Sequence, residues 1–186
     1  MWQYFTSVSA KDINFSNDTL LALAAVMRRN TTIQRLELTN ASLNESFVSA
    51  LADALADNRN SLLSSIDFSD NKYAHFPPTF FADIIIRALG DKAAVSMAAL
   101  LDALPQGCTV LKLRGTGATS KGAVAIGQAL KNKRKFEEKI KVLDISKNKW
   151  GNEGVAPFMD FVSHSSCLRT LNIAETGASA EGLPLF

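Results

Sequence analysis

The stretch Ile33-Gln34-Arg35-Leu36-Glu37-Leu38-Thr39-Asn40-Ala41-Ser42-Leu43 decides the fold, because it returns along the chain. It comes back as Leu63-Ser64-Ser65-Ile66-Asp67-Phe68-Ser69-Asp70-Asn71 and as Cys108-Thr109-Val110-Leu111-Lys112-Leu113-Arg114-Gly115-Thr116. Two further copies are Ile140-Lys141-Val142-Leu143-Asp144-Ile145-Ser146-Lys147-Asn148 and Leu168-Arg169-Thr170-Leu171-Asn172-Ile173-Ala174-Glu175-Thr176. A weaker copy opens the chain, with Ile13 and Phe15 in the apolar slots. The shared form is L-x-x-L-x-L-x-x-N/T. Its alternating apolar pair reads as a short strand with one face buried. The ninth position, Asn71 or Asn148, suits a small polar side chain that bonds backbone as the chain turns away. Thr116, Thr176 and Ala41 at that place weaken this polar ladder without abolishing the turn.

Between the strands the period changes from two to helical. The segment Phe47–Ala56 carries apolar residues at helical spacing, as do Leu20–Met27, Val124–Leu130 and Val155–Phe161. Gly122 and Gly154 fall just before two of these helices, where they permit close approach of backbone. Basic residues gather at helix ends, at Arg28-Arg29 and Lys131–Lys135, where they complement the macrodipole. Equivalent strand residues recur about every 30 positions, the length of one strand and one full helix. The exception is the interval from Ile66 to Leu111, about 45 residues. It holds a helix over 76–89 with Pro77 and Pro78 at its start, and a second through Ala98–Leu104 after Gly90-Asp91-Lys92. The interval reads as a helical insertion at about 73–105, because no L-x-L strand signal lies between its two helices.

A strand-plus-helix unit cannot bury its apolar face alone, so copies stack. The expected fold is an α/β leucine-rich-repeat solenoid of the ribonuclease-inhibitor-like type. It has a parallel concave sheet with outer helices, and one array spans 1–186. With no polar caps at either end, the chain reads as a section of a longer array.

The irregular details are similar to one family. Trp2, Phe5 and Ser9–Ile13, then Arg35–Leu43, resemble the first repeats of the CARMIL family. Leu51–Asn58, Leu104–Gly107, Leu111–Leu113, Thr119–Gly122 and Val142–Asn148 resemble it too, in order. The stretch Tyr73–Ala94 departs from the pattern. The resemblance implies a cytoplasmic regulator of actin capping protein at the actin-rich cell cortex, with cytoskeletal protein partners. It also implies a lipid-binding pleckstrin-homology-like domain before the repeats, which would make the membrane contact. A dimerisation segment and a disordered tail with the capping-protein motif and a proline-rich part would follow. None of those segments lies in this chain, so no uncapping residue carries over. The alternative is the repeat domain of another binding protein, such as a GTPase activator or an innate-immune sensor.

Composition limits the chemistry. The 186 residues are 47% hydrophobic, enough for a real core, and a net charge of +2 gives no general field for nucleic acid. No apolar run spans a bilayer, and Met1–Phe5 lacks the basic and apolar parts of a signal peptide. Two cysteines are too few for disulfide caps, so four sequons, at Asn17, Asn30, Asn40 and Asn44, read as turn composition and the protein as intracellular. Gly115–Gly122 tempts as a phosphate loop, but Gly122 is followed by Ala123, and the string reads as a turn. Cys108 takes an apolar repeat slot, while Cys167, His75 and His164 show no ligand spacing and no poised base. No catalytic residue, cofactor or metal site is expected. The basic run Lys131–Lys135, continued by Lys139 and Lys141, is broken by Glu137-Glu138 and reads as a solvated helix terminus. The Phe76–Phe81 cluster reads as packing within the insertion.

Function is expected on the residues beside the strand leucines, which point into the concave face. They are Asn14 and Ser16, Glu37 and Thr39, Asp67 and Ser69, Lys112 and Arg114, Asp144 and Ser146, and Asn172 and Ala174. Glu37, Asp67, Lys112, Arg114, Asp144 and Asn172 are the candidate partner contacts. Their alternating sign suits a protein partner over a polyanion, against the alternative that exposed strand positions serve solubility alone.

Overall fold

The computed structural model describes residues 4–71, 90–105, 107–131 and 134–182. Its strands are β1 Ser7–Lys11, β2 Arg35–Thr39, β3 Ser65–Asp67, β4 Val110–Lys112, β5 Val142–Asp144 and β6 Thr170–Asn172. Helices α1 Asn17–Met27, α2 Glu45–Asp57, α3 Gly90–Ala103, α4 Ser120–Lys131, α5 Arg134–Glu137 and α6 Gly151–His164 lie between them. The strands form one all-parallel sheet in chain order, β1-β2-β3-β4-β5-β6. The strands add one after another at the same edge, which gives a solenoid-like α/β stack.

Register follows the sequence pattern. Leu36 faces Ile66, Ile66 faces Leu111, Leu111 faces Leu143 and Leu143 faces Leu171. These side chains and Leu38, Phe68, Leu113 and Ile145 join one core with Phe47, Leu51, Ile126, Val155 and Phe158 from the helices. The strands alternate accordingly: β2 runs exposed-buried-half-buried-buried-half-buried. One sheet face is therefore sealed by helices, and the other is open.

The first strand differs from expectation. It is Ser7–Lys11, with Val8 and Ala10 opposite Leu36 and Leu38. Ile13 is 45% exposed, and Phe15 packs half-buried on the core. The reason lies in the distance to the helix. The N-cap of α2, Asn44, comes six residues after Leu38, and its side chain accepts from Phe47 N. Ser16 caps α1 in the same way, accepting from Thr19 N, and six residues before it stands Ala10. Asn14 and Ser16 thus lie in the turn and cap, off the strand.

Gly122 and Gly154 also lie inside α4 and α6 instead of ahead of them. Helix α3 starts at Gly90 and packs between α2 and α4, so residues 90–103 continue the regular helix series. The helix expected over 76–89, the Phe76–Phe81 cluster, His75 and Trp2 lie outside the described residues. The long connection leaves the sheet unbroken, since β3 pairs with β4 directly.

Two asparagine systems tie several of the units to a neighbour. Asn71 Oδ1 accepts from Ala41 N and Leu43 N, and its Nδ2 donates to Leu38 O, Phe68 O and Ser69 O. Asn148 does the same for Thr116, Leu113, Ile145 and Ser146. The units with Ala41 or Thr116 are thus served by the asparagine one unit on. A second system, not legible as a repeat position, lies at the return from helix to strand. There Asn58 Nδ2 donates to Met27 O and Asn30 O, and Asn30 Oδ1 accepts from Thr32 N and Ile33 N. Trp150 adds a bond from Nε1 to Ala118 O and stacks on Phe158 with ring centroids 5.3 Å apart.

Cys108 is fully buried, and its Sγ donates to Val110 O at 3.0 Å. Burial pushes the thiol up to about 12, against the smaller opposing pull of backbone hydrogen bonds. The thiolate, which is the nucleophile, is absent at neutral pH. Titration of the native chain with a thiol reagent at pH 8 is expected to modify Cys167, which is half-buried, and to spare Cys108 until denaturant is added. Two fast-reacting thiols in the native chain would contradict this placement.

Candidate functional site

The open face of the sheet carries three columns of side chains, set by the parallel register. The central column reads Ser9, Glu37, Asp67, Lys112, Asp144 and Asn172. The column after it holds Lys11, Thr39, Ser69, Arg114, Ser146 and Ala174, the last four two positions beyond the paired residues of their strands. The column before it is Ser7, Arg35, Ser65, Val110, Val142 and Thr170. Glu37, Asp67, Lys112, Asp144 and Asn172 therefore stand in one line, and Arg114 stands beside it.

The charges in that line are largely committed to one another. Lys112 Nζ donates to Asp67 Oδ2 at 3.0 Å, and Arg114 donates to Asp70 Oδ2 at 3.1 Å. Arg35 lies 3.5 Å from Glu37. Asp67 Oδ1 also accepts from Ser69 N, which leaves Asp67 only 13% exposed. Asp144 differs. Its Oδ1 accepts from Ser146 N and Oγ, and Oδ2 takes a 3.3 Å bond from Asn172 Nδ2. Among the described residues it has hydrogen bonds but no cation within ion-pair distance. The half-buried Val110 and Val142 lie beside this acid, so the β4–β5 part of the face offers apolar surface next to an oriented carboxylate.

Both ion pairs with good geometry, Asp67–Lys112 and Asp70–Arg114, cross from β3 to β4. That is the junction with the long connection, and the two bonds bridge it on the open side. Sequence reading found the residues but missed this pairing, because Asp67 and Lys112 are far apart in the chain. Asp70 was overlooked altogether. It takes the positive-φ turn position after β3, equivalent to Asp12, Asn40, Gly115, Lys147 and Glu175 in the other units. Residues that tolerate the left-handed region favour that turn.

No group of three or more His, Cys, Asp or Glu side chains arranged for a metal is present among the described residues. No helix among them is long and apolar enough to cross a membrane.

The chain resembles CARMIL proteins. It is 27% identical to Protein CARMIL of Dictyostelium discoideum over 96% of its own length, which is 15% of that relative. It is also 27% identical to human capping protein, Arp2/3 and myosin-I linker protein 3, over 78% of this chain and 10% of the relative. A third relative is the Rho GTPase-activating protein gacW of Dictyostelium discoideum, 24% identical over 93% of this chain and 14% of the relative. No family model matches the chain. It thus spans a small part of the length of each relative, and the matched part covers both the sheet and the helices.

Proposed function

We propose that this chain is a non-catalytic leucine-rich-repeat scaffold of the ribonuclease-inhibitor-like type, resembling the repeat domain of a CARMIL-type regulator of actin capping protein. The observation that carries the reading is the 27% identity over 96% of the chain to a CARMIL protein, joined to a sheet whose parallel register matches the repeated L-x-L slots. The open face takes a protein partner in the cytoplasm through Glu37, Asp67, Lys112, Arg114, Asp144 and Asn172. A face that is internally neutralised discriminates well: a partner must match the pattern of pairs, and a uniform polyanion gains little from cations that are already bound.

A GTPase-activator relative supports a second reading. Such a role calls for an arginine free to reach a nucleotide phosphate. Arg35 and Arg114 on the open face are held by Glu37 and Asp70, so that face itself presents no arginine free for such a role. Incubating the chain with Rho-family GTPases is expected to leave GTP hydrolysis at its intrinsic rate, and an acceleration would favour the activator.

Two tests address the scaffold. An antibody to the chain is expected to co-precipitate actin capping protein from cytosol, and its absence would sink the CARMIL part. For the face, Lys112→Glu with Arg114→Glu breaks both cross-strand pairs. Half-exposed pairs contribute only about 0–1 kcal/mol each, so the fold is expected to survive while retained partners fall at least tenfold on beads. Unchanged partners would make the face passive.

A further inference from the structure

We infer that the strand-entry edge of β5 and β6 docks an acidic polypeptide segment, independently of the open sheet face. Lys139, Lys141 and Arg169 are all exposed there. The register that sets Val142 against Thr170 places Lys141 beside Arg169, and Arg169 N donates to Lys141 O at 2.9 Å. Neighbouring strands lie about 4.8 Å apart, so two like charges stand side by side, an arrangement that costs stability. Some cations elsewhere have carboxylate partners, Arg28 with Asp57, Lys112 with Asp67, Arg114 with Asp70 and Lys131 with Asp160. Lys11, Arg29, Arg59, Lys121 and Lys149 have none among the described residues, so what sets this edge apart is two like charges on adjacent strands. Lys139, Lys141 and Arg169 have no carboxylate within ion-pair distance among the described residues. Glu138, the next acid in the chain, is engaged in another interaction.

Compensation of helix dipoles accounts for Lys139 at most, since it alone lies near a helix end, two residues past α5. Lys141 and Arg169 open strands. The equivalent positions before β2, β3 and β4 are the neutral Gln34, Ser64 and Thr109, so the charge is local to one end of the edge.

Lys141 and Arg169 stand side by side, with Lys139 two residues before Lys141, a small cluster instead of a broad field, which fits carboxylates spaced along an extended peptide. Anionic membrane is disfavoured, because peripheral docking combines a basic surface with an inserted apolar side chain. The exposed large apolar residues among those described are Tyr4, Phe5, Ile13, Leu62 and Val95, and none adjoins β5 or β6. Binding through exposed charges is weak and salt-sensitive.

The test titrates fluorescein-labelled decaglutamate into the chain at low salt, alongside phosphatidylserine vesicles. The variant Lys141→Glu with Arg169→Glu is compared with Lys121→Glu and Lys149→Glu, which make the same charge change at exposed residues on the opposite edge. Circular dichroism checks that both fold. Peptide affinity is expected to fall at least tenfold in the first variant and less than twofold in the second. Equal loss in both, or no peptide binding by the unmodified chain, overturns the inference. So does stronger binding to vesicles than to peptide.

Discussion

Asn148→Ala is expected to destabilise the chain by about 3 kcal/mol, lowering the thermal midpoint by on the order of 10 °C for a protein of this size. Asn148 is 2% exposed, and its amide meets groups from two successive units. Its Oδ1 accepts from Thr116 N at 2.9 Å and Thr116 Oγ1 at 3.2 Å. Its Nδ2 reaches Leu113 O, Ile145 O and Ser146 O. Alanine leaves a buried donor and several carbonyls short of a partner at once. An orphaned buried group costs about 1–3 kcal/mol, and partial entry of water keeps the sum below the full count. Urea unfolding would measure it, and a loss below 1 kcal/mol would show that these bonds are replaced without strain.

The neighbouring units supply an internal comparison. Thr176, at the ninth position of the last unit, keeps a bond from Oγ1 to Ile173 O, which closes its own turn but reaches no other unit. Asn148→Thr is therefore expected to recover the local part of the lost stability and leave the junction to Thr116 unmade. The recovery separates the two jobs of this asparagine, turning the chain and joining units.

The sheet was legible in the sequence because its signal is repeated. Leu36, Ile66, Leu111, Leu143 and Leu171 occupy equivalent slots, and the register aligns them as read. The first strand was missed because Val8 and Ala10 are small and sit among serines, whereas Ile13 and Phe15 look more like repeat residues. The cap gave the usable signal: Ser16 before Asn17-Asp18-Thr19 starts a helix, and the strand must end well before it. The candidate face was legible as a list of residues and not as a circuit. Which carboxylate takes Lys112 or Arg114 depends on side chains from different strands, and only the folded register brings Asp67 and Asp70 to them. Asn30 and Asn58 were hidden differently. Asn30 looked like turn composition, and its bond from Ile33 N is local to that turn, whereas the bonds of Asn58 to Met27 O and Asn30 O exist only once units stack.

Gly127→Ala and Gly154→Ala are each expected to destabilise by about 2–3 kcal/mol, although alanine is the better helix former by about 1 kcal/mol. The sign is set by the closeness of α4 and α6. A Cβ on Gly127 would stand 2.6 Å from Pro157 Cβ and 3.3 Å from the Phe158 ring. A Cβ on Gly154 would stand 2.7 Å from Trp150 Cβ and 3.1 Å from the backbone Cα of Ser120. The proline ring is rigid, the tryptophan is held by its stack on Phe158 and its bond to Ala118 O, and Ser120 Cα is main chain. None of these neighbours yields as a flexible side chain would, so the contacts with Pro157 and Ser120 push the helices apart, while the contact with Trp150, the N-cap of α6 itself, is relieved only by a shift within α6. That shared response couples the two sites. Once α6 has shifted to admit one methyl group, the second meets less resistance, and the double variant is expected to lose less than the sum of the singles. Chemical denaturation of the four proteins in the cycle would read the coupling. Full additivity would mean that each methyl group is absorbed locally, and a stabilising single substitution would mean that the two helices are not held at this separation.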